Sequence, residues 1–312
     1  MKVAALAGGV GAGKFLRGLV RVVDARDVTV IVNTADDIHM HGLHVSPDLD
    51  SVTYWLGDAM DRERGWGRRD ETFLATEELG RFDPEAAWFN LGDLDLATHL
   101  FRTRLLAEGL ALSEVTERVA ARFGVAARLL PMTDDPVATR IEVVSFGAVM
   151  DLHFQEYWVK RHARDDVKAV RFEGAASALP APGVLDAIDA ADVVVLCPSN
   201  PVVSTGPILA VPGIREHVAE RPVVGISPIV GGAPLFGMAD RLMPVAGLEV
   251  SALGAARAYE ELLDAWVIDE VDRRLAPRIE RELGVAVSVT DTIMRDDGAA
   301  EALARSALSL VP

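Results

Sequence analysis

Cysteine is almost absent: Cys197 stands alone in 312 residues, so the chain can form no internal disulfide and no cysteine-based zinc site. Lysine is scarce too, present only at positions 2, 14, 160 and 168, and arginine supplies most of the positive charge. Basic residues as a whole are in deficit, 31 against 47 acidic ones, for a net charge of −16. That balance repels a phosphate backbone and argues against a nucleic-acid partner. Long hydrophobic runs are missing as well, none approaching the ~18 apolar residues of a membrane span. The apolar run after Met1-Lys2 stops at Gly8-Gly9, unlike a signal peptide. These absences predict a cytoplasmic protein without membrane or nucleic-acid partners. An anionic small molecule stays open, because backbone amides and a bound divalent cation can hold phosphate in an acidic protein.

What is present is an alternation. Apolar, β-branched runs at Val3–Ala7, Val28–Val32, Asp192–Cys197, Val223–Ser227, Ala265–Ile268 and Val285–Val289 read as strands buried on both faces. Amphipathic segments at Phe15–Val23, Val184–Ala190, Leu248–Glu261 and Glu270–Leu283 lie among them. The pattern predicts an α/β fold, a Rossmann-like, doubly wound parallel sheet. From Asp48 to about Gly124 the rhythm turns helical, with Leu96–Ala107 and Ser113–Phe123 the clearest segments. Shorter strands follow at Arg128–Leu130, Thr139–Val144 and Ala148–Leu152. We therefore divide the chain into a core, 1–47 and 181–312, and a large, mostly helical insertion or cap, 48–180. Pro180–Gly183 is the expected hinge.

In open α/β sheets ligands sit beyond the carboxyl ends of the strands. Those ends carry Gly8 to Lys14, then Asn33 to Asp37, Pro198 to Pro201, Ser227 to Gly232 and Thr290 to Thr292. Gly8 to Lys14 matches G-x-x-x-x-G-K, but Phe15 stands where a P-loop needs Ser or Thr for magnesium. Gly8, Gly9, Gly11 and Gly13 would let backbone amides approach phosphate at a helix start, a reading favoured over a bare tight turn. Asp37 and Asp50 are the preferred functional carboxylates, as ligands of magnesium, a hard cation that takes oxygen donors, or as a base. Asp48, after Pro47, fits helix capping and metal ligation equally well. His39, His41 and His44 read as incidental loop imidazoles rather than a transition-metal site. Gly92-Asp93-Leu94-Asp95 is either a helix start or, with Trp88, Phe89 and nearby arginines, part of a ring and phosphate site. Phe154 to Trp158 reads as core.

Taken in order, Leu6 to Gly11, Asn33 to Asp37, Gly42 to Asp50, Gly65-Trp66-Gly67, Leu96 to Leu100, Phe154 to Tyr157, Pro198 to Pro201, Ser227 to Gly232 and Thr290 to Thr292 resemble the 2-phospho-L-lactate transferase family of coenzyme F-420 biosynthesis. The resemblance spans essentially the whole chain, and the ordered set is specific where single motifs are weak. It implies a Rossmann-like core with an inserted helical part. It implies transfer of a phospho-lactyl or phosphoenolpyruvyl group from a guanosine diphosphate-linked donor to the ribityl hydroxyl of the deazaflavin 7,8-didemethyl-8-hydroxy-5-deazariboflavin, with GMP leaving. Mg2+ is the implied cofactor and a homodimer the implied assembly. On this resemblance the Gly8–Gly13 turn holds phosphate, with Asn33, Asn200 and Ser227 beside the nucleotide. Asp50 touches the deazaflavin or its metal, Asp37 lies nearby, and Trp88, Phe89 and Asp93 adjoin the ring. One departure stands out: Leu94 replaces a basic residue usual in the family. Lys14 is assigned no catalytic part.

Two other readings compete. A related Rossmann-like family shares the first turn and the paired aspartates but binds nucleotide-sugars as a regulator. Its loop after the aspartates is rich in Gly and Ser, whereas here it runs Ile38-His39-Met40-His41-Gly42, which favours the transferase. A P-loop kinase is opposed by Phe15.

Overall fold

A computed structural model describes residues 1–85, 87–145 and 147–311. Seven strands, β1 (Val3–Ala7), β2 (Val28–Val32), β3 (Arg128–Pro131), β4 (Val193–Leu196), β5 (Val223–Ile226), β6 (Ala265–Asp269) and β7 (Ala286–Thr290), make the central sheet. Every pairing in it is parallel, and the order is β3-β2-β1-β4-β5-β6-β7. The chain thus builds outward from β1 in one direction, then returns to β4 and builds in the other. The reversal leaves a crevice above the ends of β1 and β4.

Both faces of the sheet are covered, which is why its strands are apolar without alternation. Ala5, Val30, Val195 and Val267 pack under helix α1 (Gly9–Val22), helix α2 (Pro47–Leu56) and the C-terminal helix Asp297–Leu308. Leu6, Ile31, Leu196 and Trp266 face the opposite layer, which includes Val184–Asp189, Ala252–Arg257 and Ala276–Leu283. Ile141, Val143 and Leu152 join that second core from an antiparallel sheet of Ala138–Ser145, Ala148–His153 and Asp166–Glu173.

The cap holds helices α3 (Leu74–Phe82), α4 (Asp93–Ala107) and α5 (Leu112–Arg122), with a hairpin of Ile38–Met40 and Leu43–Val45 below them. Three details differ from expectation. β3 comes from within the stretch read as cap, yet it pairs with β2 in the central sheet. Leu248–Glu261 is helical only at Ala252–Arg257, where Ser251 Oγ accepts the Gly254 N–H at 3.0 Å and fixes a later start. The expected hinge is tied down, Ala181 N–H donating to Met132 O at 3.2 Å beside a bridge between Thr133 and Pro180. Among the described residues no helix is long and apolar enough to cross a membrane.

Candidate active site

A cleft of about 890 Å³ opens at the β1/β4 reversal. Its core side is the turn after β1. Gly8 precedes α1 without a side-chain cap, and Gly8, Gly9 and Gly11 at that helix start line the crevice. Ser199, after β4, closes this turn: its Oγ donates to Gly8 O at 2.9 Å and receives the Gly8 N–H at 3.3 Å. A Cβ on Gly11 would collide with the Pro198 carbonyl, so this glycine lets α1 lie directly on the loop after β4. Gly13 does different work. A Cβ there would strike the Trp55 ring of α2, and Gly13 stands off the cleft wall.

Four carboxylates, Asp36, Asp48, Asp50 and Asp95, face the cleft. Asp36 is 4% exposed, and its Oδ1 has no hydrogen-bond partner. Burial first, then the charge of Asp48, pushes its pKa well above the usual carboxylate range. Asp48 is raised to about 7, chiefly by burial and further by the charge of Asp37, while the Asn33 amide and the Gly9 N–H oppose the shift. Asn33, just past β2, donates to Asp48 Oδ2 at 2.9 Å and to Val203 O at 3.3 Å. Asp48 therefore lies in the first turn of α2 without capping it, because its carboxylate is turned back to the core.

Asp50 is gripped by the buried Arg102, whose Nη2 and Nη1 both donate to its carboxylate, the second at 3.1 Å. His99, one turn earlier on α4, lies between Asp50 (3.6 Å) and Asp95 (3.5 Å). Tyr54 donates to Asp95 Oδ1 at 2.5 Å. Burial works against ionised Asp95, but His99 and Tyr54 outweigh it and the carboxyl ends below its usual range. Asp50, Asp95 and His99 each bring one ligand atom within 4.8 Å of the others, a spacing a cation can use. Arg102 already supplies a positive charge there, so a second cation gains little.

The remaining candidates divide. Gly8, Gly9, Gly11, Asn200, Ser227, Asp50 and Phe89 line the cleft. Asp37 is not on its wall: Oδ2 accepts from His44 Nε2 at 2.9 Å and Ser46 Oγ at 2.6 Å. Asn33 acts behind Asp48. Trp88 packs edge-on against Phe89, with centroids 5.5 Å apart, in a small cluster with Met40 and Leu91. Asp93 caps another helix, accepting from Thr72 Oγ1 (2.5 Å), Leu74 N (3.1 Å) and Ala75 N (2.9 Å) at the start of α3. At the exposed Leu94, Arg68 Nη1 donates to the backbone carbonyl at 2.8 Å. Sequence reasoning gave no cleft role to Tyr54, Trp66, Trp158 or Phe236, aromatics from four separate segments that line the cleft wall. Trp158 was read as core. Its place in a π-helical turn, Glu156–Lys160, is a feature frequent at functional sites and invisible to periodicity.

Comparison with known proteins places these observations. A family model described as 2-phospho-L-lactate transferase CofD matches residues 3–304. A phosphoenolpyruvate transferase of Streptomyces griseus subsp. griseus is 50% identical over 313 residues, covering 99% of this chain and 98% of that protein. A 2-phospho-L-lactate transferase of Methanosarcina acetivorans is 42% identical over 305 residues, covering 98% and 97%. Among solved structures, a UPF0052-family protein of Bacillus halodurans matches with a TM-score of 0.62 at 16% identity over 98% of each chain, a likeness of fold.

Proposed function

The chain belongs to the 2-phospho-L-lactate transferase CofD family of transferases, and on that premise we propose that it moves a phosphoenolpyruvyl group from a guanosine diphosphate-linked donor to the ribityl hydroxyl of the deazaflavin alcohol, releasing GMP. The observation that carries this reading is the buried pair Asp36 and Asp48, facing the first turn of α1 at the sheet reversal. Enolpyruvyl is preferred to lactyl because relatives at 46–50% identity bear the name phosphoenolpyruvate transferase. The transferase names of these relatives also favour catalysis over nucleotide-sugar binding.

Two buried carboxylates with raised pKa values, one of them (Asp36) with an orphaned oxygen, fit a hard divalent cation. On this reading Asp36 and Asp48 would hold Mg2+; the sequence pointed to Asp37 and Asp50, of which Asp50 shares a set of possible ligands with Asp95 and His99. Bound there, the ion would neutralise charge on the donor phosphates. The amides of α1 bind the diphosphate, and the Ser199 clamp keeps their turn rigid. The aromatic wall of Trp66, Phe89, Trp158 and Phe236 stacks the acceptor ring and excludes water. Asp50, oriented by Arg102, accepts the ribityl hydroxyl's hydrogen bond and takes its proton as oxygen attacks the phosphorus bearing the three-carbon acid. The bond from that phosphorus to GMP breaks. A loose transition state asks little of the base, so a carboxylate shared with an arginine suffices.

The test is incubation of the purified protein with Mg2+, the deazaflavin alcohol and the guanosine diphosphate-linked enol acid. One GMP and one phosphodiester product should appear per acceptor consumed. GMP release that ignores the acceptor would overturn the reading. The assembly expected is a homodimer, which sedimentation can check.

A further inference from the structure

Among the described residues Lys14 is the one lysine on the cleft wall, which carries four carboxylates and no arginine. Arg17, one turn further along α1, is held by Asp58 at 3.0 Å and Asp297 at 2.7 Å. Lys14 forms no such ion pair among the described residues. Its Nζ lies instead over the Trp55 ring, 5.8 Å from the centroid. That platform is built by packing, since Gly13 lacks the Cβ that would displace Trp55. In an acidic protein, a cleft-facing cation held on an aromatic face and unmatched by a carboxylate is a place for a ligand's negative charge.

Which charge follows from position along α1. Gly8 and Gly9 stand beside Asp48 at the helix start. Gly11 meets the loop after β4, and Lys14 comes one turn later, about 5 Å down the axis. A diphosphate at the helix start already meets the amides and the cation-binding pair. In a phosphorylated three-carbon acid the carboxylate is separated from phosphorus by one oxygen and one carbon, a reach comparable with that turn. We propose that Lys14 binds the free carboxylate of the donor's three-carbon acid and so selects a charged acid over an uncharged one. This assignment rests on the transferase reading of the same cleft.

The experiment uses the full chain with Mg2+ and three probes: GDP, guanosine diphosphate linked to lactate, and the same donor with its carboxylate converted to a carboxamide. Calorimetry on the wild type should show the acid bound about tenfold or more tightly than the amide, the worth of one charge-assisted hydrogen bond. Lys14→Met should erase that preference and leave GDP affinity unchanged, which also shows that the variant is folded. Lys14→Arg should restore much of it. If Lys14→Met keeps the preference, or loses GDP as severely as the acid, the assignment falls while the transferase reading stands. If the wild type binds none of the three probes, the transferase reading falls and the assignment with it.

Discussion

Asn33 holds Asp48 in place from behind: the amide of one donates to Oδ2 of the other at 2.9 Å, and both are buried. The same Asn33 receives the Ala35 N–H on Oδ1 at 3.0 Å, so one side chain shapes the turn after β2 and aims the carboxylate beyond it. Asn33→Ala should destabilise the fold by about 1–3 kcal/mol, because Asp48 loses a buried donor. It should also raise the Mg2+ concentration needed for half-maximal turnover. Urea unfolding and a Mg2+ titration of activity check the two effects; unchanged values in both would detach Asn33 from Asp48.

Asp36, Asp37 and Asp48 are distinguishable by substitution. Asp48→Asn and Asp36→Asn should each weaken Mg2+ binding, read by calorimetry, and lower turnover about 100-fold or more, as expected when phosphoryl charge loses its counter-ion. Asp37→Asn should spare most of the Mg2+ affinity and show itself in stability, since its partners are His44 and Ser46. Equal loss of Mg2+ affinity in all three would return Asp37 to the metal site.

Stability without metal should depend on pH in an unusual direction for a carboxylate. Asp48 is raised from 3.8 to about 7 in the folded protein, so the fold binds this proton more tightly than the unfolded chain does. Its contribution is fully present below the unfolded value and is lost as pH rises through about 7. Between about pH 5 and about pH 8, metal-free protein should lose on the order of a few kcal/mol of stability. Mg2+ should restore most of it at the alkaline end and little at the acid end. Asp48→Asn should make the metal-free profile shallower, with Asp36 and Asp37, also raised by burial, supplying the slope that remains, which thermal melts across that range would show.

Much of this was legible in the residues, for reasons that also mark where legibility stops. β1, β2 and β4 to β7 are short apolar runs between turn residues, and burial on both faces leaves that signature whatever the tertiary context. β3 was legible as a short strand at Arg128–Leu130, but nothing local shows that it leaves the cap to pair with β2. Gly8, Gly9, Gly11 and Asn200 reached the cleft because strand ends converge there by topology. Asp36 and Asp37 could not be told apart, since only the conformation of one turn sends the first to the cleft and the second to His44. Asp93 was misleading for a non-local reason, as it caps a helix that begins 19 residues earlier in the chain. The aromatic wall draws on residues from separate segments, among them α2 and the π-helical turn Glu156–Lys160, which no local pattern records.

Arg102 and Asp50 should behave as a unit. Removing the arginine alone, as Arg102→Met, leaves a buried carboxylate uncompensated and should cost about 3–5 kcal/mol. Adding Asp50→Asn should recover a large share of that loss, because the stranded charge is gone. Transfer activity should stay low in the double variant, which lacks the acceptor of the hydroxyl proton. A double-mutant cycle in urea separates these terms. Additive losses would mean that the pair contributes independently, contrary to its geometry.

Gly11 offers the sharpest separation between a phosphate-binding turn and a packing turn. An added methyl collides with the Pro198 carbonyl, a backbone atom that no rotamer can move aside. Gly11→Ala must therefore shift α1 or the loop carrying Ser199 and Asn200, and both border the place assigned to the diphosphate. GDP affinity should fall about tenfold or more, and stability should fall by about 1–3 kcal/mol, the scale of overpacking. Gly284→Ala supplies the comparison: no atom lies within 4 Å of a Cβ there, but its φ of +71° makes any side chain strained. That variant should lose about 1–2 kcal/mol, the cost of a left-handed conformation, with GDP affinity nearly intact because Gly284, at the end of Ala276–Leu283, lies off the cleft wall. If both variants lose stability alike and neither loses GDP, the turn after β1 is a packing device and the nucleotide sits elsewhere in the cleft.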